Sequence, residues 1–372
     1  MKQLLLVGGG HAHVEVVRRF GLDPAPGWAA TVVSVDRNPI YSGMVPGFVA
    51  GAYRADELTI DLPGLCARAG VRFVHDRATR IDVDERQVRL ASGEGLDYDV
   101  AALDIGSTVA GRALPGVAEH ALASRPIASL VADLDDRLAR LPGPDCRVVV
   151  VGAGAAGLEL SFCLRARLLR AGFPRVEVSV LDGGSTILPG ASRSLVRRAS
   201  RALQRRGMAA LLDCEVAAVE ADAVRLADGR RVPADLVVWV TGPAALPLAR
   251  DSSLPVDDAG FVRVDASFAV EGRPELFAVG DCASLAGMKR AGVYAVRAGP
   301  ILDHNLRARM SGGALRRYRP QSDFLTLMAL GDGTAIGSKW GICVEGSWVM
   351  RLKDRIDRGF VERYGSADAG PE

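Results

Sequence analysis

The sequence predicts an α/β fold, because one pattern of apolar strand, glycine-rich turn and helix occurs twice in its 372 residues. The first turn covers 8–13 (GGGHAH) and follows an apolar run. The second covers 152–157 (GAGAAG) and follows another. In each half the next apolar strand ends at an acidic residue, Asp36 in the first and Asp182 in the second. Together these observations predict two Rossmann-like domains, each of which holds a nucleotide cofactor.

The three glycines of such a turn have separate functions. The first forms the tight turn, the second lets the backbone approach a pyrophosphate at the helix N-terminus, and the third lets the helix pack closely on the strand. The second turn has all three glycines, whereas the first has His13 at the third position. We therefore expect the first helix to pack differently on its strand. An ordinary loop is the alternative explanation for each turn.

Composition excludes several classes of function. The formal net charge is +2, which gives no indication of nucleic-acid binding. No apolar run approaches the ~20 residues of a membrane span, and the apolar run at the N-terminus is too short for a signal peptide, so we expect a cytoplasmic protein. The cysteines are scattered, at Cys66, Cys146, Cys163, Cys214, Cys282 and Cys343. Without a C-x-x-C pair, neither a zinc site nor a vicinal redox disulfide is predicted.

Two nucleotide sites in one chain are most simply explained by a flavin and a nicotinamide, between which a hydride passes. The strand and helix signals divide the chain at about 112, 245 and 310, and leave a small C-terminal α+β region, 311–372. The overall prediction is two Rossmann-like dinucleotide-binding domains plus this region.

Local signals predict several connecting segments. The segment 39–51 is rich in glycine and proline and is predicted to be a loop. The stretch 113–145 contains a helix and then a proline-glycine breaker, and is predicted to be a linker. Turn signals at Ser92-Gly93 and Asp228-Gly229 each lie between strand signals and predict hairpins.

A helix predicted from about 348 carries an apolar stripe of Trp348, Leu352, Ile356 and Phe360. Such a stripe is typical of core or of a homodimer interface. The helix also carries several arginines, and a basic helix with aromatic residues suits a membrane surface, so peripheral contact with the inner face of a membrane is the alternative.

At this level of detail the chain resembles the flavoproteins with two dinucleotide-binding domains, the pyridine nucleotide-disulfide oxidoreductase superfamily. The resemblance covers about 1–310. It implies a discontinuous FAD-binding domain, 1–112 and 246–310, and an NAD-binding domain, 113–245. It depends on the two turns, the segment 98–107 (YDVAALDIGS), the segment 239–242 (WVTG) and the segment 276–283 (LFAVGDCA). In 98–107, Asp104 stands where the family has a small residue.

The resemblance implies FAD and NADH as cofactors and assigns residues to each. The FAD residues would be Gly8, Gly10, His11, Ala12, Asp36, Arg37, Gly106, Gly280, Asp281 and Val293, with Asp281 bonding the ribityl chain. The NAD residues would be Gly152, Gly154, Ala156, Gly157, Glu159, Asp182 and Gly242. An H-x-H pair such as His11 and His13 also suggests a metal, but no third ligand is apparent, so a phosphate or ribose contact is favoured and no metal is predicted.

The loop 41–51, the segment 157–159 (GLE) and the segment 299–302 with Asn305 are similar to type II NADH dehydrogenases. The segments 7–14, 41–47, 104–107 and 291–297 make the chain most similar to the flavoprotein domain found fused to selenide, water dikinase. The similarity to type II NADH dehydrogenases implies catalytic positions at Glu159, near the nicotinamide, and at Pro46, beside the flavin. Tyr294 would either stack on a planar acceptor or fill core space. The acidic side chain of Glu159 could instead only complement its helix dipole. The segment 292–297 lacks both amide side chains of the quinone motif of those enzymes.

The predicted activity is therefore that of an FAD-dependent NADH dehydrogenase that passes electrons to a small acceptor such as a quinone, without a redox disulfide. Two alternatives remain open at this point. One is a sulfide:quinone-type oxidoreductase, for which Cys163 and Cys343 are the candidate thiols. The other is a non-catalytic flavoprotein that senses redox state.

Overall fold

The computed structural model describes residues 1–288, 292–321 and 323–365. Its first sheet contains six strands: β1 (Lys2–Val7), β2 (Trp28–Ser34), β3 (Arg72–His75), β7 (Val100–Leu103), β19 (Ala269–Val270) and β20 (Arg273–Ala278). Their order across the sheet is β19-β20-β7-β1-β2-β3. All neighbours pair in parallel except β19 and β20. Strands from the two ends of the predicted discontinuous domain thus lie in one sheet.

The second sheet has five strands in the order β12-β11-β10-β16-β9 and is parallel throughout. Its strands are β9 (Ala121–Ala123), β10 (Asp145–Val151), β11 (Arg175–Leu181), β12 (Ala209–Leu211) and β16 (Leu236–Trp239). The linker prediction for 113–145 is wrong, because β9 pairs with β16 and the following helix packs into the core. The three residues of β9 are too few to show a strand pattern in the sequence.

Smaller sheets and strand pairs contain the remaining strands, and both predicted hairpins are confirmed. One sheet contains β4 (Ala78–Asp82), β5 (Gln87–Leu90) and β6 (Gly95–Asp97), and another β13 (Val216–Val219), β14 (Ala223–Leu226) and β15 (Arg231–Pro233). Two strand pairs are β8 (Thr108–Val109) with β17 (Pro243–Ala244), and β18 (Val262–Arg263) with β21 (Ala283–Ser284). The C-terminal sheet contains β22 (Thr326–Ala329), β23 (Ala335–Lys339) and β24 (Ile342–Gly346).

The helices place the two glycine-rich turns next to the rest of the site. They are α1 (His11–Leu22), α2 (Val45–Val49), α3 (Leu62–Arg68), α4 (Val117–His120), α5 (Ile127–Ala139), α6 (Ala155–Arg170), α7 (Arg193–Arg205), α8 (Leu248–Asp251), α9 (Gly292–Ser311) and α10 (Ser347–Gly365). Helix α1 packs on α9, and α6 contacts α2 and β22. In the described part of the chain no helix is long and apolar enough to cross a membrane.

The structure corrects one further prediction of local structure and narrows another. The segment 39–51 is only partly a loop, because it contains a 3-10 turn at Ser42–Met44 and the buried helix α2. Proline is compatible with a helix here because Pro46 lies in the first turn. The apolar stripe of α10 is also not core along its length. Phe360 is buried, but the first three members of the stripe are exposed, at Trp348, Leu352 and Ile356.

Candidate active site

The first glycine-rich turn leads from β1 into α1 and has unsatisfied polar atoms around it. Gly8 has a φ of 99°, which favours glycine, and a side chain there would collide with the backbone after β7. His13 replaces the third glycine, is buried, and its Nδ1 lies 2.8 Å from the carbonyl oxygen of Gly8. This contact is how α1 packs on its strand without the glycine.

His13 is buried and His11 is partly buried, and their Nε2 atoms are buried without a hydrogen-bond partner among the described residues. Burial lowers the pKa of each imidazole to about 4, so both are neutral at pH 7. Asp36 after β2 is exposed, and within the same residues its carboxylate forms no hydrogen bond or ion pair. A dinucleotide at this turn would supply the missing partners, so the residues present fit FAD.

Asp281 lies in a 3-10 turn after β20, next to the same loop. Its Oδ2 accepts hydrogen bonds from Ser107 Oγ at 3.2 Å and from Arg125 Nη2 at 2.9 Å. The side chain is 17% exposed, so it is held in place but remains accessible to a ligand. Gly106 and Gly280 flank this contact with φ values of 70° and 69°. The structure thus brings together three of the segments on which the family resemblance depends.

The second glycine-rich turn leads from β10 into α6 and leaves room for a ligand. A side chain at Gly157 would collide with the carbonyl oxygen of Gly152, so the third glycine does allow close packing. At Gly154 an added Cβ would meet nothing within 4 Å, as expected where a pyrophosphate approaches the backbone. Asp182 after β11 accepts hydrogen bonds from the Ala153 amide at 2.6 Å and from Gly184 at 2.7 Å.

Glu159 projects from the second turn of α6 into a buried polar site. Its Oε1 accepts a hydrogen bond from the Ala329 amide of β22 at 2.8 Å and lies 3.9 Å from Lys353 Nζ. Burial raises the pKa of Glu159 to about 7, although Lys353 and the Ala329 amide favour the charged form. This carboxyl can therefore exchange a proton near neutral pH. Its contacts are with the C-terminal region, which an acid serving only the helix dipole would not need.

Lys353 of α10 is the buried cation of the site. Its side chain is 7% exposed, and Nζ donates hydrogen bonds of 2.7 Å to Asp357 Oδ2 and to the carbonyl oxygen of Gly43. Burial would lower the pKa of Lys353, but Glu159 and Asp357 outweigh burial and raise it. Lys353 therefore stays charged and joins α6, α10 and the turn before α2.

Aromatic side chains connect this cluster to the first glycine-rich turn. Tyr41 forms a hydrogen bond with Asp357, and its ring stacks on Phe360 with centroids 4.1 Å apart. The His11 ring packs edge-on against Tyr41 at 5.6 Å. A continuous series of contacts therefore runs from the start of α1 to the start of α6. We call this series the buried polar chain: His11, Tyr41, Asp357, Lys353 and Glu159.

The other predicted site residues differ in how far they are exposed. Pro46 is buried in α2. Tyr294 is 4% exposed, donates a hydrogen bond to the Gln321 carbonyl and packs edge-on against Phe324, an arrangement that favours the core-filling role. Of the remaining predicted residues, Ala12 is buried. The others are at least partly exposed: Gly10, Arg37, Val293, Ala156 and Gly242.

All six cysteines are free thiols. Cys163 is wholly buried in α6, and its pKa is raised well above the usual value by that burial. Cys343 in β24 is only partly buried, and burial also raises its pKa. Raised pKa values leave both thiols protonated at neutral pH, which makes them poor nucleophiles.

Comparison with known proteins agrees with this geometry. A model of the family described as "Pyridine nucleotide-disulphide oxidoreductase" matches residues 2–300. The chain belongs to this family. As a member, it is an oxidoreductase that binds FAD and NAD(H), and the predicted superfamily, fold class, enzyme class and cofactors are confirmed.

Relatives in the family include the demethylphylloquinone reductase NdbB of Synechocystis sp., which is 28% identical over 92% of this chain and 88% of the relative. An NADH dehydrogenase-like protein of Mycobacterium tuberculosis is 32% identical over 76% of this chain and 73% of that relative. The solved structure of the sulfide:quinone oxidoreductase of Aquifex aeolicus superposes with a TM-score of 0.86 over 100% of this chain and 93% of that one, at 16% identity. At that identity it shows a common fold only.

Sequence reasoning missed Arg125, Lys353 and Asp357. Arg125 gives no signal in the sequence, because its partner Asp281 is 156 residues away. Lys353 gives a weak one. The chain uses arginine almost everywhere, with lysine only at Lys2, Lys289, Lys339 and Lys353, and Lys353 has an aspartate four residues later. An unusual choice of lysine beside an i,i+4 acid could have indicated a special environment.

Proposed function

We propose that this protein is an NADH dehydrogenase that reduces a quinone or a similar small acceptor. The observation that carries the proposal is the buried polar chain between the two glycine-rich turns. A disulfide reductase would need paired cysteines at such a place, but the segment 39–52 contains none. The names of the relatives, an NADH dehydrogenase-like protein and a quinone reductase, support the same activity.

Reduction of a quinone by NADH consumes a proton as well as a hydride, so the site needs groups that deliver protons. Bound FAD supplies the hydride acceptor and the electron donor for the second half of the reaction. The chain supplies the rest. Glu159, with its pKa of about 7, holds or releases a proton. Lys353, with its Nζ 3.9 Å from the Glu159 carboxyl group, holds that group in position. Tyr41 and Asp357 continue the path toward α1.

The assignments of individual residues and of domain boundaries belong to this proposal. We place the FAD domain at 1–112 and 246–310, the NAD domain at 113–245 and the C-terminal region at 311–372. Glu159 and Pro46 remain the proposed catalytic positions, and Lys353 joins them. That the chain is most similar to the flavoprotein domain found fused to selenide, water dikinase stays a prediction. The formation of a homodimer also stays a prediction.

Steady-state oxidation of NADH with a panel of acceptors tests the activity. We expect soluble quinones to accelerate NADH oxidation, and sulfide to have no effect as an electron donor. A variant without Cys163 and Cys343 should turn over as fast as the parent, because neither thiol is needed. Sulfide-dependent quinone reduction that is lost with those thiols would contradict the proposal, as would flavin that NADH reduces but no acceptor reoxidises.

We expect NADH to be preferred over NADPH. The Asp182 carboxylate lies where the ribose diol of the nicotinamide cofactor would bind, and it would repel a 2′-phosphate. Stopped-flow reduction of the flavin should be at least about tenfold slower with NADPH. The variant Asp182→Asn removes the charge and should narrow that ratio. Equal reduction rates in the parent protein would show that Asp182 does not select the cofactor.

We further propose that the protein contacts a membrane surface through the C-terminal region. Five large apolar side chains are exposed in the turn between β23 and β24, on β24 and on α10, and we call them the exposed apolar surface: Trp340 (75% exposed), Ile342 (67%), Trp348 (52%), Leu352 (38%) and Ile356 (44%). Basic side chains of α10 lie between them in sequence, Arg351 and Arg355. Apolar and basic residues together suit the interface of a bilayer with anionic lipids.

Binding to lipid vesicles tests this surface. We expect Trp348→Ser to bind vesicles containing anionic lipid about fivefold or more weakly in a sedimentation assay, because apolar burial in the interface is lost. Leu22→Ser is the matched control, since Leu22 is exposed to the same 52% at the end of α1, outside the exposed apolar surface. Equal losses in the two variants, or no binding by the parent protein, would contradict the membrane contact.

A further inference from the structure

Asp104 is a buried acid that the proposed mechanism does not use. It directly follows β7, and its side chain is 3% exposed. Its Oδ2 accepts hydrogen bonds from the amides of Ala12 at 2.9 Å and His13 at 3.4 Å, in the first turn of α1. The carboxyl group therefore caps a helix whose own N-cap residue, Gly10, has no side chain with which to do so.

The carboxyl group is enclosed by the two loops that fit FAD. A Cβ added at Gly10 would collide with it, and one added at Gly280 would lie 2.5 Å from its Oδ1. No ligand can enter that space without moving Asp104.

A pyrophosphate brings negative charge to the same helix terminus. The N-terminal amides and dipole of α1 favour one anion there, and FAD binding adds the charges of two phosphates beside the Asp104 carboxylate. Like charges at close range in a low-dielectric site strongly disfavour one another. Binding of FAD is therefore favoured when the carboxyl group is neutral.

The groups around Asp104 do not offset this repulsion. Asp281 and Cys282 face it from the turn after β20, and Asp281 is acidic. His11 and His13 of α1 are neutral at pH 7. Tyr294 of α9 donates its hydroxyl to Gln321, and Arg125 pairs with Asp281 instead. In the described ranges no cation forms an ion pair with Asp104.

The ionisation of Asp104 is consistent with such a role. Burial raises its pKa to about 7, the Ala12 and His13 amides lower it, and Asp281 raises it further. Without FAD, the carboxyl group is thus partly ionised at neutral pH, and a nearby phosphate would shift it further toward the neutral form.

We propose that FAD binding is coupled to the uptake of one proton from solvent by Asp104, so that the FAD-bound protein carries a neutral carboxyl group beneath the first glycine-rich turn. The balance is simple: the carboxylate form, FAD and one proton give the FAD complex of the acid form. The inference rests on the FAD site of the proposed function and is independent of the electron acceptor. Asp104 is a positioning residue that acts on FAD through α1.

Linkage fixes the sign of the pH dependence. When binding takes up a proton, affinity falls as pH rises, by up to about tenfold per pH unit between the pKa of the FAD-free form and that of the complex. The dissociation constant for FAD should therefore increase from pH 7 to 9. The histidines of the turn cannot cause this change, because their pKa values of about 4 lie well below that range.

The test uses the purified holoprotein. Free FAD is measured by fluorescence after serial dilution at pH 6–9, which gives the dissociation constant at each pH. We expect the constant to rise about tenfold or more between pH 7 and 9 in the parent protein, and to stay within about twofold in Asp104→Asn. Asparagine keeps an oxygen that can accept the α1 amide hydrogen bonds, but it cannot ionise.

An infrared difference spectrum between the two FAD-bound proteins gives a second readout that does not depend on the value of the dissociation constant. The holoprotein at pH 8 should show the carbonyl stretch of a protonated carboxyl group that Asp104→Asn lacks, and subtraction removes the contribution of Glu159. If Asp104→Asn fails to fold, the pH series of the parent protein still decides. A dissociation constant that does not change with pH, or the absence of that band, would overturn the inference. A parent protein that never binds FAD would overturn the cofactor site as well.

Discussion

Replacing Lys353 with methionine is expected to lower the free energy of unfolding by about 3–5 kcal/mol, because removal of one partner leaves buried carboxyl groups without their cation. Lys353 is the shared partner of Asp357, Glu159 and the Gly43 carbonyl oxygen. Methionine has a similar length, so the loss is of charge and hydrogen bonds more than of volume. Urea denaturation of the holoprotein at pH 7 measures the change.

A double variant separates charge from packing. Lys353→Met with Asp357→Leu removes both members of the closest ion pair, and well-packed apolar replacements of such a pair are often neutral. We expect the double variant to recover at least about half of the stability lost in Lys353→Met. If the single variant is as stable as the parent protein, Lys353 does not hold the cluster together. Both variants should oxidise NADH slowly, because the link between Glu159 and Asp357 is gone.

Replacing Asp281 with alanine is expected to weaken FAD binding by about 10–100-fold, because it removes the hydrogen bond, worth about 1–3 kcal/mol, that we propose between this carboxylate and the ribityl chain. The same change leaves the Arg125 guanidinium without its carboxylate partner. The absorbance ratio of flavin to protein after gel filtration gives the retention of FAD.

Ser107→Ala is the matched control for Asp281. It removes a hydrogen bond of 3.2 Å to the same oxygen but keeps the carboxylate that would face the ligand. We expect it to retain nearly all its FAD. Full retention of FAD by Asp281→Ala would show that this carboxylate does not bind the cofactor, and the position of Asp281 in the FAD site would have to be abandoned.

Local sequence signals were sufficient for the fold. The apolar strands, the glycine-rich turns and the hairpin turns are each set by residues close together in sequence, and the structure confirms them. The linker prediction for 113–145 failed because β9 is defined by its pairing with β16, which lies more than a hundred residues later. Short strands of this kind depend on tertiary contacts rather than on local propensity.

Only part of the candidate site could be predicted from local sequence signals. Motif positions such as Gly157 and Asp281 occur in ordered patterns, so the sequence can indicate them. Lys353 is different, because its function depends on the carbonyl oxygen of Gly43, which is 310 residues away in the chain. Nor could the sequence indicate that Asp104 would point beneath α1, since that depends on how β7 and the α1 turn pack together.

The position of α10 also has a consequence for how the protein is made. A ribosome that synthesises this chain completes both nucleotide-binding turns before it reaches the segment that contains Lys353 and Asp357. Each parallel sheet can therefore form around its own strands early, whereas the link between Glu159 and Tyr41 must wait for α10. A nascent chain stalled before α10 would contain both glycine-rich turns but would lack Lys353 and Asp357, on which the proposed movement of protons depends.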